Sequence, residues 1–221
     1  MRTGTRHDGR HDGRHDRQHE PVAETTAVET TVAVRRVVLL ARPGAGKSTQ
    51  GRLLAGQFGV AYVATGALLR DEVASGSSLG GHIASVLAHG DLVADEVVVA
   101  ILARKLEQAV ATGGYVLDGF PRDLAQAAAF EEHFPSAVQP QVAVLLDVPA
   151  DVCRQRLLDR SALEGRSDDT PETIDRRLAL FDADLMPVIE RYEHRGILVR
   201  VDAEADRGVV TARILEGLAA C

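Results

Sequence analysis

The stretch LLARPGAGKSTQ, residues 39–50, decides which fold this chain adopts. It nearly matches the pattern G-x-x-x-x-G-K-[ST], in which the backbone N–H groups of a glycine-rich loop hold phosphate oxygens. Ala41 stands at the first glycine of that pattern. The run VRRVVLLA, residues 34–41, is apolar, β-branched at its start and too short for a helix, so it predicts a buried strand. Because Ala41 ends this strand, where φ is normally negative, alanine is acceptable there.

The residues after Ala41 predict how this loop holds its ligand. Residues 43–46, PGAG, let the backbone wrap closely around a phosphate. A helix predicted over residues 47–58 adds its positive N-terminal end to the loop. Lys47 is expected to reach the β- and γ-phosphates of a nucleotide, and the Ser48 hydroxyl to approach Mg²⁺. Strand, loop and helix together predict a nucleotide site, although they do not indicate the reaction.

The alternation of strand and helix continues towards the C-terminus. Further strands are predicted over residues 60–64, 114–120, 141–149 and 196–202. Further helices are predicted over residues 66–75, 79–89, 95–111, 122–134, 150–160, 171–194 and 207–219. Strands that alternate with helices form a parallel sheet covered on both faces. In such sheets, ligands bind beyond the carboxyl ends of the strands.

The composition limits the classes of function. The 221 residues are 45% hydrophobic and 26% charged, which is typical of a globular domain with a sizeable core. A net charge of −7 argues against nucleic-acid partners and an anionic membrane surface. No apolar run approaches the roughly 18 residues of a spanning helix, and the polar N-terminus is unlike a secretory signal. Cys153 and Cys221 form neither a metal-ligand spacing nor a disulfide framework, so we expect a cytoplasmic protein.

The N-terminal region is a polar repeat. Residues 5–17, TRHDGRHDGRHDR, repeat a four-residue unit without any apolar residue. On a helix, the histidines of this repeat would share one face, where they could bind a transition metal. Glycines within the repeat oppose a helix, so a disordered tail is favoured over a metal site. We therefore predict that residues 1–33 lie outside the fold and that the folded domain covers residues 34–221.

A second motif, LDGFPRDLAQ at residues 117–126, ends the third predicted strand in a turn. Asp118 lies at the carboxyl end of that strand, from where a carboxylate can hold Mg²⁺ through water. Gly119 allows a sharp turn, Pro121 stiffens it, and Arg122 presents a planar fork suited to a phosphate. The alternative is an ordinary strand-end turn with a solvated arginine. That alternative does not explain why this segment ends where the phosphate loop also ends.

Several motifs together resemble the adenylate kinases, within the nucleoside monophosphate kinase family. They follow the order and spacing of that family over residues 35–219: PGAGKSTQ (43–50), TGALLR (65–70), GDLVADE (90–96), DGFPRDLAQ (118–126), RLLDR (156–160), GRSDDTPETIDRRL (165–178) and VD (201–202). The resemblance implies a doubly wound α/β fold with five parallel strands in the order 2-3-1-4-5. It also implies reversible, Mg²⁺-dependent phosphoryl transfer from ATP to AMP, giving two ADP. We expect a monomer whose partners are these two nucleotides.

The resemblance also assigns residues to the site. A monophosphate-binding insert would cover residues 64–93, and a short lid would cover residues 160–170; the lid has no cysteines, so no structural zinc is expected. ATP would contact Gly44, Ala45, Gly46, Lys47, Ser48, Thr49, Arg156, Arg160 and Ala205. AMP would contact Thr65, Arg70, Asp91, Leu92, Val93, Gly119, Phe120, Pro121, Arg122, Gln126, Arg166 and Arg177. Mg²⁺ would be held by Ser48 and Asp118.

The arginines that the resemblance assigns to the site suit phosphoryl transfer. This reaction requires no side-chain nucleophile, because aligned phosphates and surrounding positive donors supply the catalysis. The residues expected to supply it are Lys47, Arg122, Arg160, Arg166 and Arg177. Taken alone, the arginines could equally form surface ion pairs with acidic residues between positions 159 and 175. Taken alone, Gln126 would be a solvated residue, and only the family spacing assigns it to the acceptor adenine.

Some positions depart from the family pattern and leave alternatives open. Ala41 and Arg42 alter the entrance of the phosphate loop, Ala67 replaces an acidic residue, Ala94 replaces a proline, and Ala205 stands near an expected glycine. Kinases of pyrimidine monophosphates (UMP and CMP) are therefore one alternative, and a nucleotide-binding regulator with little turnover is another. The presence of Lys47 and Asp118 favours an active kinase.

Overall fold

The structure of this chain is a computed structural model that describes residues 34–88, 93–164 and 170–221. The described residues form β1 (Arg36–Ala41), α1 (Lys47–Phe58), β2 (Ala61–Ala64), α2 (Thr65–Ala74), α3 (Ser78–Ala88), α4 (Asp95–Ala111), β3 (Tyr115–Asp118), α5 (Leu124–His133), β4 (Val142–Asp147), α6 (Ala150–Glu164), α7 (Pro171–His194), β5 (Leu198–Asp202) and α8 (Arg207–Ala219). Every predicted strand and helix is present, with bounds that shift by a few residues. The predictions for residues 1–33, Asp91, Leu92 and Arg166 lie outside the described residues.

The five strands form one parallel sheet in the order β2-β3-β1-β4-β5, which confirms the predicted topology. The central strand β1 reads as a continuous apolar run because both of its faces are covered: residues 37–41 are each at most 2% exposed. In the register of the sheet, Leu39 lies beside Asp118 of β3 and Val144 of β4. The carboxyl ends of β1, β3 and β4 therefore meet at one edge, where the phosphate loop begins.

Alternate residues of β1 face two separate cores, because successive side chains of a strand point to opposite faces. Val37 and Leu39 belong to the first core, which α1, α6 and α8 cover with Leu54, Cys153, Leu157 and Ile214. Val38 and Leu40 belong to the second core, which α4, α5 and α7 cover with Leu102, Phe130 and Val188. Burial on both faces of the sheet fixes the strand ends and the loops that follow them.

One predicted boundary was wrong. Helix α6 covers residues up to Glu164, beyond its predicted end at residue 160, so it extends into the stretch that was predicted to begin the lid. The sequence after Arg160 is Ser-Ala-Leu-Glu, which contains no helix-breaking residue before Gly165. Propensity therefore continues the helix into the first residues of a polar, glycine-bearing stretch that the family resemblance assigned to the lid.

Helix α7 is 24 residues long and begins as the sequence predicts. Pro171 occupies its first turn, where a missing N–H removes no helical hydrogen bond. The Thr170 hydroxyl caps this end by accepting a hydrogen bond from the backbone N–H of Thr173 at 3.3 Å. Within residues 34–88, 93–164 and 170–221, no helix combines the length and apolar character needed to cross a membrane.

The C-terminal end of α7 is joined to α5 by an arginine–carboxylate cluster. Arg191 donates from Nε to Glu131 Oε1 at 2.9 Å and from Nη2 to Oε2, and Arg195 donates to Oε1 at 2.8 Å. The hydrogen bond from Arg191, together with the charges of both arginines, lowers the pKa of Glu131 below its usual value. The cluster therefore stabilises the folded state as long as Glu131 is ionised.

We expect Glu131→Gln to lower the free energy of unfolding by about 1 kcal/mol at pH 7. Because the pKa of Glu131 is lowered on folding, this stabilisation is present above the unfolded-state pKa and is lost as the pH falls through the folded-state pKa. Urea unfolding from pH 7 down to pH 4 measures the difference between variant and wild type, which should shrink with decreasing pH. Glu132→Gln, at the exposed neighbouring position, is the control. Equal losses in both variants would contradict this role for Glu131.

Candidate active site

The phosphate loop connects the end of β1 to the start of α1 and packs directly on α6. Gly44 and Gly46 have φ values of 86° and 93°, a left-handed conformation that glycine adopts without strain. A Cβ atom on Gly44 would also lie 2.6 Å from the backbone oxygen of Cys153 in α6. Only glycine therefore permits this approach, which brings the loop against the helix that carries Arg156 and Arg160.

The loop forms one wall of a cleft of about 330 Å³. The cleft is lined by Arg42, Pro43, Gly44, Gly46, Lys47, Ser48, Thr49, Arg156, Leu157, Arg160 and Arg177. The structure thus brings together the predicted loop residues with arginines from α6 and α7. Ala45, a residue of the loop itself, is buried in the first core. Ala205 is half-buried against the same core and is not among the residues that line this cleft.

Lys47 is held by the backbone in this structure. Its Nζ donates to the carbonyl oxygen of Ala41 and, at 3.2 Å, to that of Arg42, and lies 5.6 Å from the centroid of the Phe181 ring. Burial lowers the pKa of Lys47 to about 8, and the nearby Asp118 carboxylate opposes this shift. A phosphate oxygen in the cleft would be a stronger partner than these neutral carbonyls, because it adds the attraction between opposite charges to the hydrogen bond.

Asp118 joins three elements at the edge of the sheet. Its carboxylate is buried, and Oδ2 accepts hydrogen bonds from the Ser48 hydroxyl at 2.8 Å and the Tyr62 hydroxyl at 2.7 Å. Its carbonyl oxygen accepts a third from Thr65 Oγ1 at 3.3 Å. A hydroxyl and a carboxylate at this distance, beside a phosphate loop, form the hard oxygen donor set that suits Mg²⁺. The residues present therefore fit the predicted metal ion.

Tyr62 was not predicted from the sequence, although it contacts the predicted metal-binding carboxylate. The guanidinium of Arg52 lies 4.9 Å from the centroid of its ring, and a Cβ atom on Gly51 would approach the ring to 2.5 Å. Burial raises the pKa of Tyr62 to about 12, so its hydroxyl remains a neutral donor to Asp118. A glycine inside helix α1 was the available signal, since it indicates the close approach of another group.

Arg42 also lies outside the predicted site, although it lines the cleft. Its Nε donates to Asp182 Oδ1 of α7 at 2.7 Å, and its Nη1 donates to the carbonyl oxygen of Val148 at 3.0 Å. Asp147 lies 3.7 Å away as a second carboxylate partner. The entrance of the phosphate loop is thus tied both to α7 and to the end of β4. The sequence marked Arg42 only as a departure from the family pattern.

The turn after β3 orients Arg122 towards solvent and buries its apolar residues. Gly119 has a φ of 89°, and its carbonyl oxygen accepts a hydrogen bond from Arg122 Nε at 3.0 Å. Phe120 and Pro121 are buried, and the Phe120 ring lies edge-on to Phe130 with centroids 5.4 Å apart. The Phe120 side chain belongs to the second core and that of Pro121 is buried, so that only the backbone of these two predicted contacts is available to a ligand.

Gln126 is oriented by three hydrogen bonds. Its backbone N–H donates to Asp123 Oδ1 at 2.8 Å, which caps α5. Its side-chain Oε1 accepts from the backbone N–H of Arg122 at 2.9 Å, and Nε2 donates to Asp95 Oδ1 of α4 at 2.8 Å. Of the other predicted contacts, Arg70 is exposed on α2 and Val93 is half-buried beside the second core. The sequence did not indicate Asp95.

This arrangement defines the class of protein. A phosphate loop after the central strand, a buried aspartate on the adjacent strand and arginines from two further helices around one cleft are the parts of a P-loop nucleotide kinase. A sequence model of the family described as "Adenylate kinase" matches residues 39–197. The chain belongs to the adenylate kinase family.

Proteins with similar sequences carry the same family name. The chain is 43% identical over 184 residues to "Adenylate kinase" of Xanthomonas campestris pv. campestris (strain B100), covering 83% of this chain and 98% of that protein. It is 40% identical to "Adenylate kinase" of Xylella fastidiosa (strain 9a5c) and 39% identical to that of Stenotrophomonas maltophilia (strain R551-3), with the same coverage. The similarity thus extends over almost the whole length of these relatives.

Two glycines of α1 provide a test of the packing around Tyr62. A Cβ atom on Gly51 would collide with the Tyr62 ring, whereas one on Gly56 meets nothing within 4 Å. We expect Gly56→Ala to raise the free energy of unfolding by about 0.5–1 kcal/mol through helix propensity. Gly51→Ala should lower it by about 1–3 kcal/mol through overpacking. Urea unfolding of both variants measures this, and a similar gain in both would contradict the close packing at Gly51.

Proposed function

We propose that this chain catalyses the reversible transfer of the γ-phosphoryl group of ATP to AMP, giving two ADP. A phosphate oxygen of AMP forms the new bond to the γ-phosphorus, and the bond from that phosphorus to the oxygen of the departing ADP breaks. The observation that carries the proposal is the cleft in which the phosphate loop and Lys47 face Arg156, Arg160 and Arg177. Membership of the adenylate kinase family supports the same reaction.

The chemistry follows from the charges around this cleft. Phosphoryl transfer passes through a transition state whose charge is spread over the transferring group, so catalysis consists of alignment and electrostatic stabilisation. Lys47 would exchange its carbonyl partners for the β- and γ-phosphates, and Arg160 would hold the donor. Arg122 and Arg177, with Arg166 by resemblance, would hold the acceptor phosphate and the transferring group. No general base is needed.

We also propose that Ser48 and Asp118 hold the Mg²⁺ ion that accompanies ATP. The support is the 2.8 Å contact between the Ser48 hydroxyl and the Asp118 carboxylate beside the loop. When bound, the ion supplies positive charge to the phosphate oxygens. Tyr62 donates to the same carboxylate and would keep it oriented if Ser48 turned away from Asp118. Tyr62 therefore acts as a positioning residue.

The acceptor would lie on the other side of Asp118, over the turn after β3. Gln126 supplies a paired donor and acceptor for the adenine edge, and Thr65 and Arg122 flank the same turn. Arg70 and Val93 extend this surface from α2 and the start of α4. We include Asp91, Leu92 and Arg166 among the proposed AMP contacts on the sequence resemblance alone. AMP is thus proposed to bind between the β3 turn and the first residues of α4.

Lys47→Ala tests the donor site. We expect kcat to fall by about three orders of magnitude, because the change removes a cation from the transferring phosphate. A coupled assay of ADP formation measures kcat, and urea unfolding verifies that the variant is folded. The control is Lys105→Ala, which changes the other lysine of the chain at an exposed position of α4. Near-normal turnover in folded Lys47→Ala would contradict the proposed donor site.

Gln126→Ala tests the acceptor site. We expect the KM for AMP to rise by about tenfold or more while the KM for ATP changes little, because burying an adenine edge without partners costs about 1–3 kcal/mol. Initial-rate measurements with each nucleotide varied in turn give both constants. Gln108→Ala, at an exposed position of α4, should change neither. Equal increases in both KM values would show that Gln126 has been assigned to the wrong nucleotide.

A further inference from the structure

The side-chain amide of Gln126 is bound at both of its ends. Asp95 Oδ1 accepts from Nε2 at 2.8 Å, and the backbone N–H of Arg122 donates to Oε1 at 2.9 Å. The N-cap bond from Gln126 N–H to Asp123 fixes the backbone from which this side chain extends. The amide is therefore held as a rigid group and does not rotate freely at the surface.

The chemistry of the two partners determines which end of the amide is oxygen. An ionised carboxylate can only accept hydrogen bonds, and a backbone N–H can only donate them. If the amide turned over, Oε1 would face the carboxylate oxygen of Asp95 and Nε2 would face the N–H of Arg122. Both hydrogen bonds would become repulsive contacts. Asp95 and the Arg122 N–H thus allow a single polarity of the Gln126 amide.

This polarity matters for the bases that the amide can read. After its two bonds to the protein, the amide keeps one N–H hydrogen and one oxygen lone pair. Adenine offers an N6–H donor and an N1 acceptor, which match a free lone pair and a free N–H. Hypoxanthine and guanine carry the reverse pattern, with an O6 acceptor and an N1–H donor. They could be read only by an amide that has turned over.

We propose that Asp95 is a specificity-determining residue of the acceptor site. By fixing the polarity of Gln126, Asp95 makes the site accept 6-aminopurine monophosphates and reject 6-oxopurine monophosphates. Asp95 acts through Gln126 and is a positioning residue, since no contact of its own with the nucleotide is needed. The inference rests on the proposed assignment of Gln126 to the acceptor base.

The position of Asp95 suits this role. It is the first residue of α4, whose N-cap residue Ala94 provides no side-chain cap. A negatively charged side chain in the first turn interacts favourably with the helix dipole. Glu96 lies in the same first turn and is exposed. Glu96→Gln therefore removes one negative charge from the N-terminus of α4, as Asp95→Asn does, and serves as its control.

The experiment compares AMP with IMP, because these acceptors differ at the 6-position and its neighbouring nitrogen but have rings of the same size. For the wild type we expect kcat/KM for AMP to exceed that for IMP by at least about a hundredfold, as expected of a site with fixed hydrogen-bond polarity. Asp95→Asn, whose amide can donate or accept, should reduce this ratio by about fivefold or more. The KM for ATP should stay unchanged. Glu96→Gln should keep the wild-type ratio.

Calorimetric titration with AMP and IMP measures the same preference as a ratio of Kd values, without turnover. Asp95→Glu keeps an accepting carboxylate and should retain most of the preference. Asp95→Ala leaves only the Arg122 N–H to fix the polarity, so it should reduce the preference by about fivefold or more, and it serves if Asp95→Asn does not fold. A preference for AMP that is unchanged in both Asp95→Asn and Asp95→Ala overturns the inference and leaves Asp95 with a structural role only. If Gln126→Ala leaves the KM for AMP unchanged, the assignment of Gln126 to the acceptor base is wrong. If Gln126→Ala raises that KM but the Asp95 variants keep the wild-type ratio of AMP to IMP, only the role of Asp95 is wrong.

Discussion

The buried carboxylate of Asp118 is the group on which the arrangement of this site depends. It lies at the end of β3, and its hydrogen bonds join it to α1 through Ser48 and to β2 through Tyr62. The backbone carbonyl of the same residue accepts from Thr65 of α2. A buried carboxylate is costly unless hydrogen bonds compensate the loss of water. These donors stabilise its position, and in doing so they fix the start of the phosphate-binding helix relative to the two neighbouring strands.

Lysine and arginine have different tasks around the cleft. Burial lowers the pKa of Lys47 to about 8, so the folded protein holds the charge of this lysine at some cost. Arg122, Arg160 and Arg177 are exposed, and a guanidinium keeps its charge at all physiological pH values. A compact ammonium fits inside the loop, whereas the planar forks of arginine can reach a phosphate from the surrounding helices.

Much of the fold could be predicted because its signals are local. Apolar runs such as residues 34–41 indicated the strands, and Pro171 indicated the start of α7. The phosphate loop could be predicted because its backbone conformation requires particular residues within a short segment. These features depend on neighbours in sequence, so a single chain without relatives is enough to locate them.

The remaining features depend on residues far apart in the sequence. The contacts of Tyr62 with Asp118, of Arg42 with Asp182 and of Asp95 with Gln126 join residues separated by 56, 140 and 31 positions. No local pattern of a tyrosine, arginine or aspartate indicates which distant group it will meet. The extension of α6 beyond residue 160 has a different cause: a polar, glycine-bearing stretch indicates a loop, whereas helix propensity decides the structure of its first residues.

The tie between Arg42 and Asp182 has a mechanical consequence for α7. Beyond Asp182, the helix is anchored to α5 by the Glu131 cluster; before it, Arg154 of α6 pairs with Asp175. Ile174 and Leu178 of the same segment are buried in the first core, so this part of α7 is fixed by packing as well as by charge. With a rise of 1.5 Å per residue, the ion pairs at Asp175, Asp182 and Arg191 are spaced about 10 and 14 Å apart along the helix. Arg177 lies between the first two of them, so α7 presents it to the cleft from a rod that is anchored on either side.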